Sequence, residues 1–425
     1  MIHTLVLVAA LAQPSLSPLE QAQGFRLLSG PDATSQWRGY KKPSFPAKGW
    51  EIKDGVLKVA AGSGAGDIIT VDQYGDFELV LEYKTAPKAN SGIMYRVTEK
   101  HGATYQTGPE FQVLDDAGHG ISPTSPHAAG ALYDMVPPLE GKVTQSDGWN
   151  QARIYVRNGV IQHWLNGMKV VDITAFDDHG APTADWKAKI AAGKFKDTEG
   201  FGVQPRGHIA LQEHGDEVSF RNIKIRDLNA ATPGEKRLFN GKDLTGWTAF
   251  VPDAAKQGIA PESVWSVEDG VLVCKGNPVG YIRTTDKHKN FILRVQWRFN
   301  PVTKKAGNSG VLVRMVGEDK VWPKSVEAQL MSGSAGDFWN IDGFVMTTDP
   351  ARTNGRNTKK THGAERPVGE WNEYEIVVNK GDVILYVNGE ELNRATGVEE
   401  VPGFICLQSE GAEIQFRDIR LTPLE

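Results

Sequence analysis

Apolar and polar residues alternate with a period of two along most of this chain. Asp76 to Tyr83 (DFELVLEY) and Phe291 to Phe299 (FILRVQWRF) show it well. Arg153 to Val156, Ile161 to Leu165, Tyr374 to Val378 and Val383 to Val387 are runs of the same kind. Alternation sends successive side chains to opposite faces, so each run predicts a half-buried strand. Asn158-Gly159 and Lys380-Gly381 separate paired runs and predict hairpin turns. The best helical stretch is Asp185 to Lys196, where Trp186, Ile190 and Phe195 fall on one stripe. Many short strands with Gly-rich turns predict an all-β chain of the sandwich type, built as a jelly roll.

The pattern occurs twice. Arg26-Leu27-Leu28-Ser29-Gly30 returns as Arg237-Leu238-Phe239-Asn240-Gly241. Trp50 to Leu57 (WEIKDGVL) returns as Trp265 to Leu272 (WSVEDGVL), and Asn90-Ser91-Gly92-Ile93 as Asn308-Ser309-Gly310-Val311. Glu110-Phe111-Gln112 returns as Glu327-Ala328-Gln329, Trp149-Asn150 as Trp371-Asn372, and Asn166-Gly167 as Asn388-Gly389. The order is kept throughout, so the chain is a tandem duplication. Copies at 24–228 and 236–425 leave 229–235 (NAATPGE) as a polar linker carrying Pro-Gly. Asn166 and Asn388 are 222 positions apart, but Gln212 and Gln408 only 196, so the first copy holds 26 extra residues around 172–206. That insertion includes the helical stretch and reads as a lid or a wall.

Composition narrows the class. A net charge of −5 without a basic run gives no sign of nucleic acid. Two cysteines in 425 residues exclude a disulfide framework, and both Cys274 and Cys406 sit in strand-like apolar stretches. Thr4 to Ala12 is apolar but too short to span a bilayer, and Ala10-Leu11-Ala12 fits a cleavage pattern, so 1–12 reads as a signal peptide. The expected location is periplasmic or secreted, with no membrane span. No phosphate loop, nucleophile elbow or dinucleotide fingerprint is present.

Each copy closes on one strand. Gly207 to Gly215 (GHIALQEHG) echoes as Gly403 to Gly411 (GFICLQSEG). Gln212 and Gln408 lie opposite the apolar Ile and Leu, and two residues on stand His214 and Glu410. This places a site on the outer side of a two-layer sheet. Asn-Ser-Gly reads as a strand-entry turn, and His163, which aligns with Leu385, as a packing position.

The ordered set W-x-(I/V)-x-D-G-V-L, N-S-G-(I/V), E-x-Q, W-N, N-G and LQ…G…FR(N/D)I resembles the 3-keto-disaccharide hydrolase domain. The resemblance spans nearly all of both copies. It implies two tandem concanavalin A-like jelly rolls. It also implies cleavage of glycosides already oxidised at C3, by C2 proton abstraction and elimination or net hydrolysis. A separate sugar 3-dehydrogenase would supply the ketone.

That chemistry needs a base, a stabiliser for the C3 enolate and an acid for the leaving group. His214 is the expected base and Arg96 the expected clamp on the enolate or a hydroxyl, with Glu110 beside them. Gln112, Gln212, Trp164, Asp115 and Asp116 are expected to bind substrate. Arg314, Glu327, Gln329 and Glu410 are their counterparts in the second copy. Asp115, Asp116 and His119 leave a divalent metal open, although no metal-ligand spacing is present. Seven of ten histidines lie between 101 and 214, so the first copy is the expected catalyst. The competing classes are a non-catalytic, lectin-like carbohydrate-binding protein and an envelope adhesion module.

Overall fold

A computed structural model describes residues 15–139 and 148–425; the proposed signal segment lies outside the described residues. Two compact units divide between Ala231 and Thr232. Each is a jelly-roll β-sandwich of two antiparallel sheets.

In the first unit the larger sheet runs Met168–Thr174, Val160–Leu165, Asn150–Arg157, Phe77–Thr85, Val218–Asp227, Val56–Val59, Trp50–Lys53. Arg26–Leu27 adds to the Val218–Asp227 strand. The smaller sheet runs Trp37–Gly39, Ile68–Thr70, His208–Leu211, Asn90–Val97, Glu110–Leu114. Alternation sets the layers. Phe77, Leu79, Leu81 and Tyr83 point inward with Ile93, Phe111, Val113, Ile209 and Leu211 of the facing sheet. Fully burying each such side chain is worth roughly 1.5–3 kcal/mol. Between them, Glu78 faces outward to Arg153 and Arg226, at 2.6 and 2.7 Å.

Two-residue turns carry the hairpins. Asp54-Gly55, Asn158-Gly159 and Asn166-Gly167 have positive φ at both residues, as do Asp269-Gly270 and Asn388-Gly389 in the second unit. That backbone matches the twist of the flanking strands, and Asn, Asp and Gly tolerate it best.

The second unit repeats this plan. Its first sheet runs Trp265–Glu268, Val271–Cys274, Ile414–Pro423, Phe291–Phe299, Asn372–Asn379, Asp382–Val387, Glu390–Ala395, with Lys236–Arg237 paired to Ile414–Pro423. The other runs Trp247–Phe250, Gly280–Thr284, Phe404–Ser409, Gly310–Val316, Lys324–Gln329, then three short strands at Phe338–Ile341, Asn357–Thr358 and Thr353–Asn354. Both cysteines are free and buried. Part of the stretch read as linker is fixed within this unit. Thr232 Oγ1 bonds Thr422 Oγ1 at 2.6 Å, and Glu235 lies 3.7 and 3.5 Å from Arg294 and Arg420.

The insertion forms the Ala184–Ala192 helix, shorter than expected because Gly193 ends it. Thr183 caps its start, accepting from Trp186 N. Trp186 is buried with Nε1 on Gly202 O at 2.8 Å. Phe195 lies beyond the helix and stacks on Phe201, centroids 4.1 Å apart.

One expectation fails here for a backbone reason. Arg96 does not join the outer face beside Glu110. Met94 pairs with Ala210 and Val97 with His208, so Tyr95 and Arg96 together oppose Ile209. Arg96 has φ 54°, the left-handed arm of a β-bulge. The extra residue reverses the alternation, and Val97 joins Met94 outside while Tyr95 stays in the core. The Arg96 guanidinium donates twice to Gly75 O, at 3.1 and 3.0 Å, and lies 3.4 Å from Asp76. Arg314 repeats the device with φ 53° and donates to Glu399 O and Lys380 O. Both arginines are structural.

Arg96→Ala therefore removes a buried charge-assisted set, at a cost of about 2–4 kcal/mol. The urea midpoint of the full chain should fall, while turnover per folded molecule stays within about threefold of wild type.

Candidate active site

The floor of the site is a pair of strands held in one register. Asn90–Val97 pairs with Glu110–Leu114, Gly92 opposite Gln112 and Met94 opposite Glu110. The Glu110 carboxyl leans diagonally over Gly92. A Cβ on Gly92 would stand 2.0 Å from Glu110 Oε1, so any larger residue there would displace the carboxyl from this position. Asn-Ser-Gly is thus part of the floor, not a turn. Ser91 Oγ donates to Gln212 O at 2.8 Å, and Gln212 N donates to Gly92 O at 3.0 Å. These bonds tie the end of the His208–Leu211 strand to the floor. With its carboxamide turned so that both ends are satisfied, the Gln112 nitrogen donates to Ser91 O at 3.2 Å and to Glu110 Oε1 at 3.1 Å.

His214 follows in the loop after that strand and is exposed. Its Nε2 lies 3.4 Å from Asn90 Nδ2. The loop is braced by Asp67, whose Oδ1 accepts from Glu213 N at 2.9 Å. Thr104 hydroxyl also donates to Asp67.

The walls come from three other segments. Asn90, Glu110, Gln112, Gln212 and His214 line a cleft of about 440 Å³ together with Tyr105, Gln106, Tyr133, Lys194, Phe195 and Thr198. The 3₁₀ turn at Thr104–Gln106 supplies the first two. The insertion supplies Lys194, Phe195 and Thr198. Lys194 N donates to Asp134 Oδ2 at 2.8 Å, which fixes the backbone there. Lys194 Nζ then lies 4.1 Å from the Tyr133 ring centroid and 5.0 Å from that of Phe195.

Burial pushes the Glu110 carboxyl up to about 8; the Lys194 ammonium opposes this and Asp67 adds to it. Desolvation outweighs the single cation, so at neutral pH Glu110 holds its proton. The cleft can therefore offer a proton donor, an imidazole, an ammonium and four carboxamides to one small polar ligand.

Of the residues expected in the first copy, His214, Glu110, Gln112 and Gln212 meet here. The others do not. Trp164 lies on the larger sheet, where the Arg153 guanidinium and the Lys169 ammonium sit 5.1 and 5.6 Å from its ring. Asp115 caps the short Asp116–His119 helix and accepts from Lys88 N at 2.8 Å and Gly118 N at 3.1 Å. Asp116 accepts from Ala129 N at 2.9 Å, and burial raises it to about 6. His119 Nε2 is taken by Lys88 O at 2.9 Å. Their short polar side chains shape a loop. Among the described residues no group of three or more His, Cys, Asp or Glu is placed to hold a metal ion. No described helix is long and apolar enough to cross a membrane. His163 is a core residue, bonded to Tyr95 and Gly130 O, and burial lowers it to about 4.

Sequence reasoning missed Asn90, Tyr105, Gln106, Tyr133, Lys194, Phe195 and Thr198. The duplicated Asn-Ser-Gly and the insertion were the available signals. In the second unit Glu327 occupies the place of Glu110, and Glu410 the place of His214. Gln329 does not match Gln112, because its Oε1 accepts from Leu330 N and Met331 N at 2.7 and 2.8 Å.

Comparison with known proteins fits this frame. The model of the 3-keto-alpha-glucoside-1,2-lyase-like domain matches residues 24–226 and 234–422. The chain belongs to that family, in two tandem copies. It is 30% identical over 238 residues to the 3-keto-disaccharide hydrolase of Bacteroides thetaiotaomicron, covering 49% of this chain and 80% of that protein. A crystal structure from Parabacteroides distasonis, of a protein named provisionally as a glycosyl hydrolase, is 30% identical. It matches with a TM-score of 0.45 over 51% of this chain and 99% of its own. A second from the same organism is 28% identical, with a TM-score of 0.36 over 48% and 99%. The family is one of glycoside-cleaving enzymes.

A carboxyl raised from 4.5 to about 8 has a definite effect on stability. The folded state binds this proton more tightly, so stability is full below about pH 4.5 and falls as pH rises through about 8. Glu110→Gln removes the ionisation. Its stability should gain on wild type as pH rises from 5 to 9, by on the order of a few kcal/mol, and its melting temperature should rise relative to wild type accordingly. Parallel thermal melts across that range check it.

Proposed function

We propose that the first unit cleaves 3-keto-glycosides. What supports this reading is one cleft that holds an imidazole, a carboxyl kept protonated by burial and an ammonium, in a chain of this family. Paired carboxylates of the ordinary glycosidase kind need one partner ionised. Glu110 instead favours its neutral form, which suits it to proton donation.

In the proposed sequence His214 removes the C2 proton, made acidic by the adjacent ketone. The C2–H electron pair forms the C2=C3 bond of an enolate, and negative charge moves to the C3 oxygen. Lys194 and the Gln212 amide stabilise that oxygen. Collapse of the enolate breaks the bond from C1 to the leaving oxygen, which takes the Glu110 proton. The product is a 1,2-unsaturated 3-ketone and a free alcohol. Release at this stage is a lyase outcome. Water adding to C1, with its proton passing to Glu110 and the His214 proton returning to C2, gives net hydrolysis. Lys194 takes the role expected of Arg96. A separate sugar 3-dehydrogenase supplies the ketone, and the proposed location is periplasmic or secreted.

Turnover of a methyl 3-keto-α-glucoside tests this. His214→Ala should slow it by about a hundredfold or more, the size of a lost general base. Equal turnover in both proteins refutes the assignment. Because Glu110 must keep its proton, kcat/KM should fall as pH rises through about 8. Lys194→Ala should lower kcat by about ten- to a hundredfold, as loss of a stabilising donor does.

A further inference from the structure

The second unit repeats the floor of the cleft with different chemistry. Gly310 pairs with Gln329 and Leu312 with Glu327, the register of Gly92 with Gln112 and Met94 with Glu110. Ser309 Oγ donates to Gln408 O at 2.9 Å, as Ser91 does to Gln212 O. Glu327 leans over Gly310, where a Cβ would stand 2.5 Å from its Oε1. The same point lies 2.2 Å from Gln408 Oε1, so the carboxyl and the carboxamide are neighbours.

Gln408 is the informative residue. It is 2% exposed, and both Oε1 and Nε2 lack a hydrogen-bond partner. A buried amide with neither end satisfied is rare and destabilising, and it marks a place where a ligand or water completes the bonds. Asn308 Oδ1 is also unpartnered, although the Asn308 side chain bonds Glu410. Burial raises Glu327 to about 8, with Glu410 adding to the shift and Arg356 opposing it, and burial raises Glu410 to about 7 against the bond from Asn308.

An aromatic face completes the set. Glu327 stands directly opposite Trp339 on the neighbouring strand, and opposite residues share a face. Trp339 is half-buried, and the Arg356 guanidinium lies 5.9 Å from its ring centroid. Among the described residues the first unit has no counterpart to this strand in its smaller sheet.

We propose that Asn308, Glu327, Gln408 and Glu410, with Trp339 as a stacking platform, form a second sugar site that takes a neutral, unoxidised pyranose. Hydroxyl groups both donate and accept, which is what the two ends of Gln408 need. An anionic ligand meets two carboxyl groups, and an apolar one leaves the amide unpaired. The flat indole suits the apolar face of a pyranose ring. The ligand class rests on the reading of this family as sugar-directed, but the site does not depend on His214 or on cleavage.

Calorimetric titration of the full chain with a panel of methyl pyranosides, the α- and β-glucosides, galactoside and mannoside, tests the site. These lack the 3-ketone and are not cleaved by the proposed chemistry. Wild type should bind at least one with a Kd on the order of millimolar. Trp339→Ala and Gln408→Ala should each weaken that binding by about tenfold or more, and His214→Ala should leave it unchanged. Trp339 is partly exposed, so its variant keeps the test valid if Gln408→Ala fails to fold. Three results overturn the proposal: no binding by any of the panel, binding unchanged in a folded Trp339→Ala variant, or binding lost in His214→Ala. Failure of 3-keto-glucoside cleavage would leave this titration readable, so the two proposals fail separately.

Discussion

The structure depends on a missing methyl group. Glu110 lies against the backbone of its neighbouring strand because Gly92 has no Cβ; one there would stand 2.0 Å from Glu110 Oε1 and push the carboxyl off the sheet. A carboxyl pressed onto a sheet loses solvent from most of its surface. Desolvation then favours the neutral form, and the single ammonium of Lys194 does not reverse it. The bonds from Ser91 to the Gln212 carbonyl and from Gln212 N to Gly92 O keep the three strands at that spacing. Proton affinity at this site is thus a property of the strand packing.

The duplication separates the frame from its chemistry. Both units keep the glycine, the leaning glutamate, the serine tie and the bulged arginine. They differ in what surrounds them. The first unit adds an inserted segment that brings Lys194 and Phe195 over the carboxyl. The second adds strands that bring Trp339 beside it. His214 and Glu410 complete the contrast at equivalent positions. A rigid sandwich tolerates such changes because loops and sheet edges vary at little cost to the core.

Much of this was legible in residue order. Period-two alternation and the Asn-Gly and Asp-Gly turns carried the sandwich, and the ordered motifs carried the duplication. The same alternation placed Glu110, Gln112 and Gln212 on one outer face, with His214 close by. It failed where the backbone departs from a regular strand. Arg96 and Arg314 adopt left-handed φ, and one extra residue inverts every face assignment beyond it. Nothing in the residue type announces this, since arginine rarely adopts that conformation. Asp115 and Asp116 looked like chemistry but serve as cap and loop bonds, which short carboxylates also do well. Trp164 fell on the other sheet, and strand order is not encoded in alternation. Lys194 was invisible because its reach depends on how the insertion folds back.

The protonation state of the leaning glutamate also constrains which substrates fit the proposed chemistry. A glycosidic bond between unactivated sugars requires an ionised carboxylate as nucleophile or base in addition to an acid. A carboxyl held neutral by burial enters the reaction as the acid. The remaining charge must then come from the substrate, and a ketone at C3 supplies it by making the C2 hydrogen removable by an imidazole. In the proposed chemistry a prior oxidation at C3 and the glycine beneath Glu110 are thus two parts of one requirement. One lowers the demand on the base, and the other keeps the acid loaded.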